Sequence, residues 1–93
     1  MNKNQDAWND LLELLLTTKD KKSLDFMLDL FLTPEEKTDI AMRFLIVKNL
    51  LDKNKTQREI AKDLHVSIAK ITRGSNELKR MNQSLLKALE DKL

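Results

Sequence analysis

Apolar positions along this chain of 93 residues recur three and four residues apart, and its only strong breakers are one proline and one glycine. That is the period of a helix, and no stretch keeps the two-residue alternation of a strand. The pattern predicts a first helix from about Asn4 to Thr18, with Ala7, Trp8, Leu11, Leu12 and Leu15 on one side and Leu14 and Leu16 widening the stripe. A second covers roughly Ser23 to Phe31. Its face of Leu24, Met27, Leu28 and Phe31 is extended around the cylinder by Phe26 and Leu30. That is more apolar surface than one small chain easily covers, so a partner is implied.

The third helix announces itself at Thr33-Pro34-Glu35-Glu36, where Thr33 can cap backbone N–H groups, Pro34 is preset for the first helical position and Glu36 completes a capping box. Ile40, Phe44, Val47 and Leu51 are expected to face inward, with Arg43 on nearly the same side. A guanidinium there needs an anion, an aromatic face or water; it can also snorkel with its head in solvent. A second capping box, Thr56 to Glu59, opens the fourth helix, whose inner face is Ile60, Ala61 and Leu64. His65 then occupies a turn, Val66 plugs the corner and Ser67 caps a helix from Ile68 to about Arg80 with Ile71 inward. Leu85, Leu86 and Leu89 mark a short final helix. The segment from about residue 56 to 80 thus reads as a helix-turn-helix, within a single domain spanning 1–93.

Charge sharpens that reading. From Lys53 to Arg80 there are eight Lys or Arg and three acids, a net of +5, while the remainder holds nine against twelve, a net of −3. A basic segment that coincides with a candidate DNA-reading motif is the footprint of a phosphate binder. On the outward face Ile68, Ala69 and Thr72 offer methyls and a hydroxyl to base edges, and Lys70 and Arg73 offer charge. Gln57, Arg58 and Lys62 on the preceding helix can engage the backbone and the groove edge. There is no Cys, the lone His is a turn residue, and no carboxylate pair converges on a pocket, so no catalytic residue and no metal site are expected and the chain is read as a non-enzyme. No run approaches the roughly 20 apolar residues of a membrane span, and Leu14 to Leu16 give way at once to Thr17, Thr18 and Lys19 rather than forming a signal peptide; a cytoplasmic protein without a membrane partner is expected.

Gly74 is the remaining oddity. It stands three residues after Ile71 on the inner face, where a large side chain is due, at a helix-interior cost of about 1 kcal/mol relative to Ala. Either it lets two helices pack closely, or a flat ring slides against its bare backbone with Arg73 and Arg43 stacking on the two faces. Arg73 or Thr33 could then take a ligand carboxylate.

Trp8, the Leu30-Phe31-Leu32-Thr33-Pro34 joint, Arg43 with Ile46 and Val47, Thr56-Gln57-Arg58-Glu59, and above all Ile71-Thr72-Arg73-Gly74-Ser75-Asn76 resemble the tryptophan operon repressor family, from about Trp8 to the C-terminus. The resemblance implies an all-α fold of six helices in an intertwined homodimer, with no cofactor but L-tryptophan as corepressor and operator DNA as partner. It implies that Arg43 and Arg73 sandwich the indole, that Thr33 and Arg73 take the carboxylate, that the Leu30 and Leu32 carbonyls receive the ammonium, and that Gly74 gives the ring room. For DNA the family pattern falls on Gln57, Arg58, Lys62, Ile68, Ala69, Lys70, Thr72 and Arg73. Bound tryptophan would hold the two reading heads about 34 to 36 Å apart, matched to successive major grooves.

Two positions depart from the family. Glu77 stands where the family carries a serine near the ligand ammonium, and Lys70 replaces a threonine of the reading helix. Glu77 shares a face with Gly74 and could pair with the ammonium, or bridge Arg73 within the helix, or stay solvated. A ligand-independent helix-turn-helix DNA adaptor, with Gly74 as packing and Arg43 snorkelling, is the alternative from another class.

Overall fold

Helix caps set most of the boundaries. The structure, a computed structural model, describes residues 3–93, and there the chain forms α1 (Lys3–Leu16), α2 (Lys21–Phe31), α3 (Pro34–Asp52), α4 (Gln57–Leu64), α5 (Ile68–Arg80) and α6 (Gln83–Lys92), with no strand among the described residues. The helix α1 stops two residues before the expected Thr18 because the Thr17 and Thr18 hydroxyls donate back to the Leu14 and Leu15 carbonyls, at 2.7 and 2.6 Å. The start of α2 comes two residues before the expected Ser23. Asp20 is its cap, accepting from the Ser23 backbone N–H at 2.7 Å, and that bond holds its carboxyl below the ordinary 3.8.

Both expected capping boxes form. At α3 the Glu36 N–H donates to Thr33 Oγ1 at 3.1 Å while the Thr33 N–H donates to Glu36 Oε1 at 2.8 Å. At α4 the reciprocal pair between Thr56 and Glu59 spans 3.1 Å each way. Each box satisfies N–H groups that the first turn of a helix cannot bond internally.

The chain divides into two compact units, one ending at Lys37 and the other Thr38–Leu93. The first contains α1, α2 and the opening of α3, and none of its described residues is buried. Lys37 ties the start of α3 to α2 by pairing with Asp29 at 2.7 Å and Asp25 at 3.4 Å, and the Asp29 hydrogen bond chiefly holds its ammonium above the ordinary 10.5. Several aromatic and leucine side chains of this unit stay open: Trp8 is 56% exposed, Phe26 64% and Leu30 76%.

The second unit has a core of three isoleucines from three helices, Ile46 of α3, Ile60 of α4 and Ile71 of α5, at 3%, 0% and 0% exposure. Met42, Leu50, Ala61, Leu64 and Val66 pack around them. This corrects the expected inner face of α3. The stripe that packs is Met42, Ile46 and Leu50, whereas Ile40 and Phe44 are each 49% exposed. The cause is in the sequence: α3 is apolar on more than one side, so a spacing of three and four residues fits two stripes equally and only the neighbours α4 and α5 choose between them.

Candidate nucleic-acid interface and ligand site

The helices α4 and α5 pack against each other across three residues, His65 to Ser67. His65 is left-handed, at φ 56° and ψ 43°, as the turn requires; the next N–H, that of Val66, donates to the Ala61 carbonyl at 3.0 Å and closes the end of α4. Ser67 then accepts from the Lys70 N–H at 3.3 Å and starts α5. Because Ile71 is pulled fully inward, Ala69, Lys70, Thr72 and Arg73 are turned out and exposed, and Ile68, one turn before Ile71, is exposed at the start of α5. Arg58 and Lys62 are exposed on α4, and Gln57 is half-buried beside them. The Thr72 hydroxyl donates to Gln57 Oε1 at 3.2 Å, bridging the two helices.

The three acids between residues 53 and 80 are all engaged locally. Glu59 serves its capping box, and the Thr56 backbone N–H holds its carboxyl below the ordinary 4.5. Asp63 pairs with Lys55 at 2.6 Å; that hydrogen bond depresses the Asp63 carboxyl and raises the Lys55 ammonium. Glu77 pairs with Arg80 at 3.4 Å, both side chains well exposed, rather than with Arg73. Arg58, Lys62, Lys70 and Arg73 are in no salt bridge among the described residues, so their charge faces outward uncompensated.

Of the two roles weighed for Gly74, close packing is present. A Cβ on Gly74 would lie 3.1 Å from Ile46 Cγ2 and 3.4 Å from Leu50 Cδ1, so the bare backbone of α5 rests on α3. Arg43 is one turn before Ile46 on α3 and Arg73 adjoins Gly74 on α5; both are exposed, and neither is in an ion pair or side-chain hydrogen bond among the described residues. The two helices that cross at Gly74 thus each carry one unpaired guanidinium. Glu77 lies one turn further along α5. Leu30 and Thr33 are exposed and Leu32 half-buried; all three belong to the first unit, where the last carbonyls of α2 lack partners in their own helix. A hollow of about 420 Å³ between α3 and α6, lined by Leu45, Lys48, Leu51, Glu90 and Leu93 among others, shares no residue with the expected ligand set.

Sequence reasoning passed over Asp20 as a cap, although Asp is a favoured residue there, and the left-handed Lys53 (φ 61°) that ends α3. It also had no signal for the Thr72–Gln57 bond, which joins residues fifteen apart.

The architecture defines an all-helical protein in which two short helices, joined by a three-residue turn, present a basic outer face. The chain matches the Trp repressor protein family over residues 6–93, and it belongs to that family. Three proteins, each named Trp operon repressor homolog, illustrate the likeness. The one from Actinobacillus succinogenes is 47% identical over 87 residues, covering 92% of this chain and 85% of that protein. The one from Chlamydia caviae is 44% identical over 88 residues, covering 95% and 87%. The one from Haemophilus influenzae is 36% identical over 93 residues, covering 100% and 92%. Among the described residues no helix is long and apolar enough to cross a membrane.

Proposed function

We propose that this protein is a tryptophan-dependent transcriptional repressor: a homodimer whose α4–turn–α5 segments act as helix-turn-helix heads on a palindromic operator, with L-tryptophan as corepressor and no catalytic activity. The observation that carries this reading is the pair of unneutralised guanidinium groups, Arg43 and Arg73, carried by the two helices that cross where Gly74 meets Ile46. Arg73 also belongs to the outward set on α5, so a ligand held there touches the DNA-reading helix itself. Stacking of an aromatic ring by each guanidinium is worth roughly 0.5 to 2 kcal/mol. Arg73 and Thr33 are assigned the ligand carboxylate, the Leu30 and Leu32 carbonyls with Glu77 the ammonium, and Gly74 the closest approach to the ring.

The DNA surface in this proposal is Gln57, Arg58, Lys62, Ile68, Ala69, Lys70, Thr72 and Arg73. Dimerisation is supported by the small core: three buried isoleucines in the second unit and no buried described residue in the first leave Phe26, Leu30, Ile40 and Phe44 for a second copy to cover. The whole chain, 1–93, then functions as one domain in the cytoplasm.

The test is a titration of purified protein against duplexes selected from a randomised pool, with and without L-tryptophan, repeated with tryptamine and indole propionate. Tryptophan should tighten binding at the selected site by at least tenfold, and each analogue should be less effective. A ligand-independent DNA adaptor is the second reading, favoured by the fact that packing against Ile46 and Leu50 already accounts for Gly74. Tight, selective DNA binding that ignores tryptophan would establish it instead.

A further inference from the structure

We propose that Lys70 is a specificity-determining residue of the DNA surface, one that seeks the adjacent acceptors of a guanine, so that the operator carries a G·C pair at a fixed position in each half-site. The inference rests on the DNA-binding reading above and adds which base the reading helix selects.

Chemistry narrows the outward residues of α5 to this one. Ile68 and Ala69 end in methyl groups and form no side-chain hydrogen bond. The Thr72 hydroxyl donates its hydrogen to Gln57 Oε1 at 3.2 Å, which leaves its oxygen as an acceptor only. Arg73 is drawn to the ligand carboxylate in the reading above. Lys70 is exposed, and among the described residues its ammonium is in no salt bridge and no hydrogen bond. Its donors have no other claim on them.

Position adds to this. Ser67 caps α5, so Lys70 is the third residue of the helix, in the turn with which a recognition helix meets base edges. It has the longest side chain of that turn. No acid stands there to divert its charge, and Arg73, one turn along, is of like sign.

An ammonium has three N–H donors and no lone pair. In the major groove guanine presents two acceptors side by side, N7 and O6, whereas adenine sets an amino group beside its N7, cytosine presents an amino group, and thymine sets a methyl beside its O4. A group that only donates therefore gains most at guanine and is mismatched to amino groups.

The experiment uses the full chain with saturating L-tryptophan and a randomised pool of duplexes. The unaltered protein should select guanine at a fixed half-site position and favour it there over adenine by roughly tenfold. Lys70→Met keeps the length and removes the donors; it should lose that preference and keep the others. Lys70→Arg should retain guanine, and Lys70→Gln, whose amide both donates and accepts, should move the preference at the same position to adenine. The unfolding midpoint of each variant should match that of the unaltered protein, since an exposed and unpaired side chain is replaced. In the selected duplex, 7-deazaguanine at that position should cost the unaltered protein several-fold and cost Lys70→Met nothing.

A Lys70→Met protein that selects the same sites and loses affinity evenly, with the slope of log K against log salt falling by about one, makes Lys70 a phosphate contact and overturns the proposal. So does a Lys70→Gln protein that still selects guanine, or an unaltered protein indifferent to 7-deazaguanine. Failure of the unaltered protein to select any duplex would sink the DNA-binding reading itself, a result separate from these.

Discussion

Replacing Gly74 with alanine sets two opposed effects against each other. Inside a helix alanine is favoured over glycine by about 1 kcal/mol, so in open space the change would stabilise the protein. The structure leaves no open space. The new methyl would sit 3.1 Å from Ile46 Cγ2 and 3.4 Å from Leu50 Cδ1, against the 3.5 to 4.0 Å of comfortable carbon contact. Leu50 can yield, since its Cδ1 lies at the end of two torsions. Ile46 cannot: Cγ2 is attached directly to Cβ, a β-branched residue in a helix has one preferred χ1, and the side chain is 3% exposed within the isoleucine core. Overpacking of this kind costs about 1 to 3 kcal/mol, and a misfit of a few tenths of an ångström belongs in the lower half of that range. Gly74→Ala should therefore lose the difference, up to about 1 kcal/mol net.

The same reasoning predicts a rescue. Ile46→Leu moves the branch from Cβ to Cγ, deleting Cγ2 at nearly constant volume; in that background Gly74→Ala should become neutral or stabilising, with a coupling of about 1 to 2 kcal/mol. Thermal and urea unfolding followed by circular dichroism would measure it, at one fixed chain concentration because association makes midpoints concentration-dependent. A net loss of that size lowers the midpoint by a few degrees. If Gly74→Ala alone raises stability by the full propensity difference, the methyl meets nothing and the close approach of α3 and α5 is refuted.

Other outcomes follow from the caps and the charges. His65→Gly should stabilise by about 0.5 to 1 kcal/mol, since His65 holds φ 56° where glycine carries no Cβ penalty; an unchanged or lowered unfolding midpoint would contradict that. Glu59 is held below its ordinary 4.5 by the Thr56 N–H, so its contribution to stability is full above about that pH and is lost as pH falls through the depressed value; acid titration of Glu59→Gln should lack this part of the profile. Glu77→Ser should weaken L-tryptophan more than indole propionate in calorimetry, because only the former has an ammonium; equal effects on both ligands would remove Glu77 from the site.

The helices, their caps and the turn were legible from sequence because each depends on residues within one or two turns. Thr33 to Glu36, Thr56 to Glu59 and Ser67 act three residues away at most, and His65 needs only its own backbone and its immediate neighbours. Most of the outward set on α5 was legible too, since placing Ile71 inward places Ala69, Lys70, Thr72 and Arg73 on the remaining arc.

What the chain pattern left undecided were choices between equivalent faces and contacts between distant residues. The third helix carries apolar residues on two sides, and only the presence of Ile60 and Ile71 decided that Ile46 would be buried while Ile40 and Phe44 stayed open. The meaning of Gly74 likewise depends on where α3 passes, twenty-four or more residues away, and the Thr72–Gln57 bond exists because α4 and α5 pack as they do. Local hydrogen bonding and periodicity are written along the chain; steric exclusion between segments is a property of their arrangement in space, and it decided which of two permitted faces became the core.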